Sequence, residues 1–150
     1  GICTVSLGDD PKELEQRLRA EFPQAAIRRD GEDLSRWVRE VARYVEGEIE
    51  ELDLPLDISG TAFQRRVWKE LQAIPRGETC SYADIAKRIG RPTAVRAVGS
   101  AIARNKLAVI IPCHRVIRND GALSGYRWGT DRKKMLLERE ARAQPENGSK

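Results

Sequence analysis

Seven consecutive residues, Ile110 to Val116, constrain this chain more than any other stretch. An apolar run from Leu107 to Ile111 delivers Cys113 beside His114, the only histidine in 150 residues. Any Cys/His chemistry must therefore use that imidazole. Pro112 fixes its own φ and biases Ile111 towards extended geometry, so the thiol sits at a stiffened exit from the apolar run. An unperturbed thiol is only a few per cent ionised at neutral pH, and the thiolate is the nucleophile, so a neighbouring base is the usual means of activation. Adjacent residues in extended chain point to opposite faces. His114 is therefore expected to reach the sulfur through a water or a local turn and to make it anionic. A buried, inert cysteine is the competing reading of a bare Cys-His pair.

Further residues favour a reactive cysteine. Around Pro112-Cys113-His114-Arg115-Val116 stand Gly60-Thr61-Ala62-Phe63-Gln64, Ile74-Pro75, Gly77-Glu78-Thr79, Ser81-Tyr82, Arg96-Ala97-Val98, Asn105 and Leu123-Ser124-Gly125-Tyr126-Arg127-Trp128-Gly129. In these motifs the chain resembles the O6-alkylguanine-DNA alkyltransferases, and most closely their bacterial Ada-type branch. The resemblance runs from about Gly1 to Arg142.

Helix and turn signals organise the rest. Cys3, Val5 and Leu7 alternate with Thr4 and Ser6 as in a short strand. Asp10-Pro11 with Glu13 starts a helix that Pro23 ends, and a second helix is expected from about Leu34 to Leu52. Residues 53–60, with Pro55 and Gly60, read as a linker and the domain boundary. Nothing before residue 60 suggests chemistry; Trp37 and Tyr44 read as packing residues. Thr61-x-x-Gln64 is a capping box, followed at helical spacing by Phe63, Val67, Leu71 and Ile74. Ser81-x-x-Asp84 starts a short helix stopped by Gly90. Pro92-Thr93 starts another, with Val95, Val98 and Ile102 expected on its buried face. The pair makes a helix-turn-helix pattern, and Lys87, Arg88, Arg91, Arg96 and Arg104 give it a basic exterior. Asn119-Asp120-Gly121 signals a turn between Val116-Ile117 and Leu123, read as a small hairpin or paired extended segments. Thr130 begins a last helix through Glu140, with Met135, Leu136 and Leu137 buried, and residues 144–150 read as a disordered tail.

Charge is distributed unevenly. Residues 1–60 hold 8 Lys/Arg against 15 Asp/Glu, net −7, whereas residues 61–150 hold 19 against 8, net +11. The second stretch is the one suited to a polyanion. There is no run of about 18 apolar residues and no signal-peptide pattern, so neither a membrane span nor a membrane partner is expected. Three cysteines at irregular spacing suit neither a zinc site nor a disulfide framework, and a reduced, cytoplasmic setting fits. Gly1 in place of an initiator Met reads as a fragment or a processed product.

The resemblance implies an α+β fold: a small ribonuclease-H-like α/β domain over residues 1–60, lacking its first strands, and a mainly helical helix-turn-helix domain over 61–143 with the active cysteine. It implies Cys113 as nucleophile and final alkyl acceptor, His114 as base through water, Glu140 as the group orienting that imidazole, and Asn105 as holder of the site's backbone and thiol. Tyr82 would donate to guanine N3 and the Ser124 amide to O6, while the carbonyls of Cys113 and Val116 accept from the exocyclic amine. Thr93, Ala94, Val95, Arg96 and Arg115 would serve DNA and base binding, with Arg96 filling the gap left by an everted nucleotide in a duplex approached from the minor groove. The implied reaction is one irreversible transfer per molecule from O6-alkylguanine, with O4-alkylthymine a further candidate substrate. It requires no cofactor and no metal. The implied partner is double-stranded DNA bound by a monomer, and an upstream Ada-type domain is compatible with the late start. Three other readings compete: a non-enzymatic lesion-binding module of the alkyltransferase-like kind, which lacks the cysteine; a plain helix-turn-helix transcription factor; and a cysteine hydrolase. The last would need an oxyanion hole and normally a histidine distant in sequence.

Overall fold

Two helix starts written into the sequence frame the molecule. A computed structural model describes residues 1–29 and 31–143. Helices α1 (Pro11–Glu21), α2 (Glu32–Glu46) and α3 (Ala62–Gln72) are followed by β1 (Cys80–Ser81), α4 (Tyr82–Arg88) and α5 (Val95–Ala103). A single 3-10 turn (Cys113–Arg115), β2 (Val116–Ile117) and α6 (Thr130–Ala143) complete the order. The expected capping box of Thr61 with Gln64 opens α3, and the helix start expected at Ser81 proves to be a second one, with Asp84, opening α4. Each satisfies two N–H groups that a helix start otherwise leaves unpaired. The architecture is mixed, mainly helical with one small two-stranded sheet.

The core gathers where α3, α4 and α5 meet the apolar run. Val67, Leu71, Ile85, Ala86, Val98, Ala108 and Val116 are buried completely or almost so, and Trp68 Nε1 donates to Ala101 O at 2.9 Å. Gly90 ends α4 at φ 78°, a conformation costly for a residue with a Cβ. Its N–H bonds Lys87 O while Arg91 N–H reaches Ala86 O, the double bond of a Schellman ending. That turn directs α5 back across α3 and α4.

Several expectations are revised. The second helix stops at Glu46, because Gly47 adopts φ 85° and the N–H of Glu48 turns back to Arg43 O. Its apolar side is open only in part: Val38 is 61 % and Leu34 42 % exposed, while Val41, Tyr44 and Val45 pack against the core. Cys3 to Leu7 form no continuous strand: Ile2 bridges Leu56 and Val5 bridges Leu107, two separate partners. Residues 53–60 are no free linker, since alternate positions from Leu52 to Gly60 are half-buried along that extended stretch. The second helix of the pair begins at Val95, not Pro92-Thr93. Val95 is 38 % exposed, while Val98 and Ile102 are buried. In α6, Leu136 is buried, but Met135 is 41 % exposed and Leu137 only half-buried.

No hairpin joins Val116-Ile117 to Leu123 among the described residues. Instead β2 pairs in parallel with β1, Cys80 opposite Val116 and Ser81 opposite Ile117. The expected turn does form, closed by Arg118 N–H to Ala122 O and Gly121 N–H to Arg118 O. The expected disordered tail, 144–150, lies outside the described residues. No helix among those described is long and apolar enough to cross a membrane.

Candidate active site

The reactive turn is built by short-range bonds. Val109 holds φ 69°, an unfavourable value for a β-branched residue, and Ile110 N–H closes on Ala108 O across it at 2.7 Å. Cys113 N–H closes on Ile111 O across Pro112 at 2.7 Å. The chain then enters the 3-10 turn, so Cys113 and His114 lie in a turn rather than an extended strand. Asn105, buried just past the end of α5, spans the segment. Its Oδ1 accepts from Leu107 N–H at 2.9 Å, and its Nδ2 donates to Ile111 O at 3.0 Å and to Cys113 Sγ at 3.2 Å.

Behind the sulfur lies a buried charged cluster. His114 Nε2 is 2.9 Å from Glu140 Oε2. Arg115 Nε reaches Glu140 Oε1 at 2.9 Å and its Nη2 reaches Oε2 at 2.8 Å, a two-point grip on the carboxylate. Burial opposes the charge on Glu140, but the bonds and charges of His114 and Arg115 outweigh it and hold its carboxyl down at about 2. A carboxylate in that state accepts, so His114 carries its hydrogen on Nε2 and presents a lone pair at Nδ1. No described protein group bonds that Nδ1. Burial also depresses the imidazole below its ordinary range, against the pull of Glu140, so the ring rests neutral.

Burial pushes the Cys113 thiol up, although the Asn105 bond and the nearby charges of Lys133 and Arg127 pull the other way. The resting sulfur is therefore a thiol, not the anion expected from the sequence. The reason is desolvation: a side chain 5 % exposed loses the water that would stabilise a thiolate. Cys80, also buried, has its thiol raised by the same cause, and Cys3 lies exposed.

On the open side, Tyr82 Oη shares a hydrogen bond with Ser124 Oγ. Lys133 Nζ, fully buried, donates to Ser124 Oγ at 3.0 Å and to Val116 O at 2.7 Å. Val116 N–H in turn donates to Cys113 O. Both carbonyls implied for an exocyclic amine thus already accept one bond, and each keeps a second lone pair. Thr93, Ala94, Val95 and Arg96 sit at the start of α5, Ala94 half-buried and the others exposed. Lys87, Arg88, Arg91 and Arg104 are also exposed. Arg115 departs from its implied role: it is 3 % exposed, bound to Glu140, to Ile74 O at 2.8 Å and to Tyr44 Oη at 2.6 Å, and cannot meet DNA there.

A thiol, an oriented imidazole and a basic helix pair occupy one stretch of sequence, and residues 62–142 match the family model described as the DNA binding domain of 6-O-methylguanine DNA methyltransferase. The chain belongs to that family. It is 55 % identical over 141 residues to the bifunctional transcriptional activator/DNA repair enzyme Ada of Escherichia coli, covering 94 % of this chain and 40 % of Ada. It therefore spans well under half of the Ada proteins it matches. The inducible methylated-DNA–protein-cysteine methyltransferase of Bacillus subtilis is 43 % identical over 97 % of this chain and 82 % of its own. A crystal structure of Mycobacterium tuberculosis OGT in complex with DNA aligns with TM-score 0.70 and 51 % identity, covering 75 % of this chain and 70 % of that one.

Within this methyltransferase family member, reading the sequence missed the inward-facing cations. Lys133 lies on a helix dense in charge, where nothing local distinguishes a buried lysine from its neighbours. Arg115 was read as facing outward because its partners Tyr44, Ile74 and Glu140 are far away in the chain. Tyr126 belongs to the Leu123–Gly129 motif and was given no role of its own. Its ring stands edge-on to His114 at 6.4 Å and to Trp128 at 5.2 Å, and burial raises its hydroxyl's pKa strongly.

Proposed function

We propose that the chain repairs DNA by moving the alkyl group of O6-alkylguanine irreversibly onto Cys113, one group per molecule. The observation that carries this reading is the commitment of His114 Nε2 to Glu140, which leaves Nδ1 as an acceptor on the residue next in sequence to a thiol steadied by Asn105. An everted base enters between Tyr82, Ser124 and the Cys113–Val116 turn; extruding it costs a few kcal/mol, roughly, and less when the lesion pairs badly. The S–H bond breaks as its proton passes through a water to His114 Nδ1. The sulfur's electron pair forms the S–C bond, the C–O6 bond breaks, and its pair stays on the guanine oxygen. Donors at Tyr82 and the Ser124 amide favour that developing charge, with the Lys133 ammonium behind Ser124. Because the resting thiol is protonated, removal of the proton belongs to the reaction itself.

The same reading gives α5 the contact with duplex DNA from the minor groove, through Thr93, Ala94, Val95 and Arg96, with Arg96 occupying the gap in the stack. Exposed Arg96 and the small residues around it support this. It takes residues 1–60 as a small ribonuclease-H-like α/β unit and residues 61–143 as the alkyltransferase and DNA-binding unit, acting as a monomer. Helices α1 and α2 and the Ile2–Leu56 bridge support the first assignment, while Val5 pairs across to Leu107 in the second stretch.

Intact-mass measurement after incubation with DNA containing O6-methylguanine tests the reading. One added methyl on Cys113 and no turnover beyond one equivalent are expected. Cys113→Ala should end transfer and keep binding. Tight binding of lesion DNA by the unaltered chain with no mass gain would replace this reading by that of a lesion-binding module.

A further inference from the structure

Tyr44 is the only buried residue among the described ones before Val67, and it lies outside the segment matched by the family model. Its hydroxyl accepts from Arg115 Nη2 at 2.6 Å. Its ring is flanked by two guanidinium groups, Arg76 at 4.9 Å and Arg115 at 6.0 Å from the centroid. Arg76 Nη1 also bonds Tyr44 O at 2.5 Å, which fixes the end of α2. From Tyr44 the contacts run without a break through Arg115 to Glu140 and from Glu140 to His114 Nε2.

Glu140 Oε2 serves two donors, Arg115 and His114. How firmly Arg115 grips that oxygen decides how much negative charge remains to support the imidazole. Arg115 also repels a proton arriving on His114. Other groups face the ring as well: Lys133 and Glu140 from α6, Tyr126 from the loop, and Arg115 from its own turn. Of these, Arg115 is the one joined to α2.

We infer that Tyr44 is a positioning residue for the transfer reaction: by holding Arg115 it sets how Glu140 is shared and so how readily His114 takes the thiol proton. Helix α2 thereby tunes chemistry carried out 70 residues later in the chain. This rests on the alkyl-transfer reading above for its kinetic assay, though not for its second readout.

Tyr44→Phe removes the hydroxyl and keeps the ring between its arginines. With one anchor lost, Arg115 loosens from Glu140, and the imidazole becomes more basic. The rate of Cys113 alkylation by free O6-benzylguanine, measured across pH in the full chain, should show its acid limb moved up by about half a pH unit. That is roughly a threefold slowing on that limb, with the plateau unchanged. Val41→Ala, which thins α2 packing without touching the relay, should leave the limb in place. Superimposable profiles for Tyr44→Phe and the unaltered chain, or an equal shift in Val41→Ala, would overturn the inference. If the unaltered chain takes up no benzyl group at any pH, the alkyl-transfer reading fails instead. The ring C–H signals of the single histidine then still decide the relay by proton magnetic resonance: an upward-shifted titration midpoint in Tyr44→Phe supports it, and an unmoved one ends it.

Discussion

Residues 1–60 and residues 61–143 are of similar helical content but differ in how they spend their side chains. In the first stretch α1 buries none of its residues fully, and its ion pairs, Arg17–Glu13 and Arg19–Glu15, stand in solvent. In the second, His114, Arg115, Lys133, Glu140 and Asn105 all lie in the interior. Solvated pairs are individually dispensable, whereas buried ones have desolvation costs that only their partners offset. Polar groups concentrated in the interior thus mark where the molecule holds a fixed arrangement for chemistry. From the first stretch, Tyr44 bonds directly into that arrangement through Arg115.

The sharpest way to break this contrast is to remove one glutamate from each side. Glu140→Ala strands two buried cations or cation-forming groups and should cost about 3–5 kcal/mol in denaturant unfolding. Glu13→Ala, cutting a pair in which both side chains are more than half exposed, should cost under about 1 kcal/mol. Equal losses would mean that the buried cluster contributes nothing beyond a surface pair. Apolar truncation gives the next largest test. Leu71→Ala, at a fully buried position, should lose about 2–5 kcal/mol, while half-buried Leu14 in α1 should lose about 1 kcal/mol.

Acid offers a gentler probe of the same difference. His114 and Glu140 are both depressed in the folded chain, so the unfolded chain takes up their protons first. Their stabilisation is whole above the ordinary values of 6.5 and 4.5, and is lost as pH falls towards the folded ones, about 2 for Glu140. Thermal midpoints should therefore decline from about pH 6.5 downward. Replacing His114 by Gln should flatten the first part of that decline. A midpoint that holds steady between neutral pH and pH 4 would contradict the burial of these groups.

Legibility in the sequence followed the range of the interaction. Thr61 with Gln64 and Ser81 with Asp84 were readable because a capping box is completed within four residues. Gly47 could have ended α2 on the same local grounds, and the apolar residues beyond it drew the reading on to Leu52. The partners of Ile2, Val5 and Val116 lie 36 to 102 residues away in sequence, and no local pattern names them. At the site, Asn105 bonds Cys113, His114 bonds Glu140, and Tyr82 meets Ser124, partners separated by 8 to 42 residues in sequence. The inward turn of Arg115 and Lys133 depends on acceptors that only the fold assembles.

The parallel pairing of β1 and β2 is only two residues long. Its first strand runs directly into α4, and its second leaves the reactive turn, so this short joint acts as a rivet between the gripping half and the reacting half. On the alkyl-transfer reading proposed above, tilting the helix pair on a duplex would drag the edge of the base pocket with it. On that same reading poor docking on intact DNA would misalign the thiol, and the one proposed transfer would be kept for a site that seats the protein squarely.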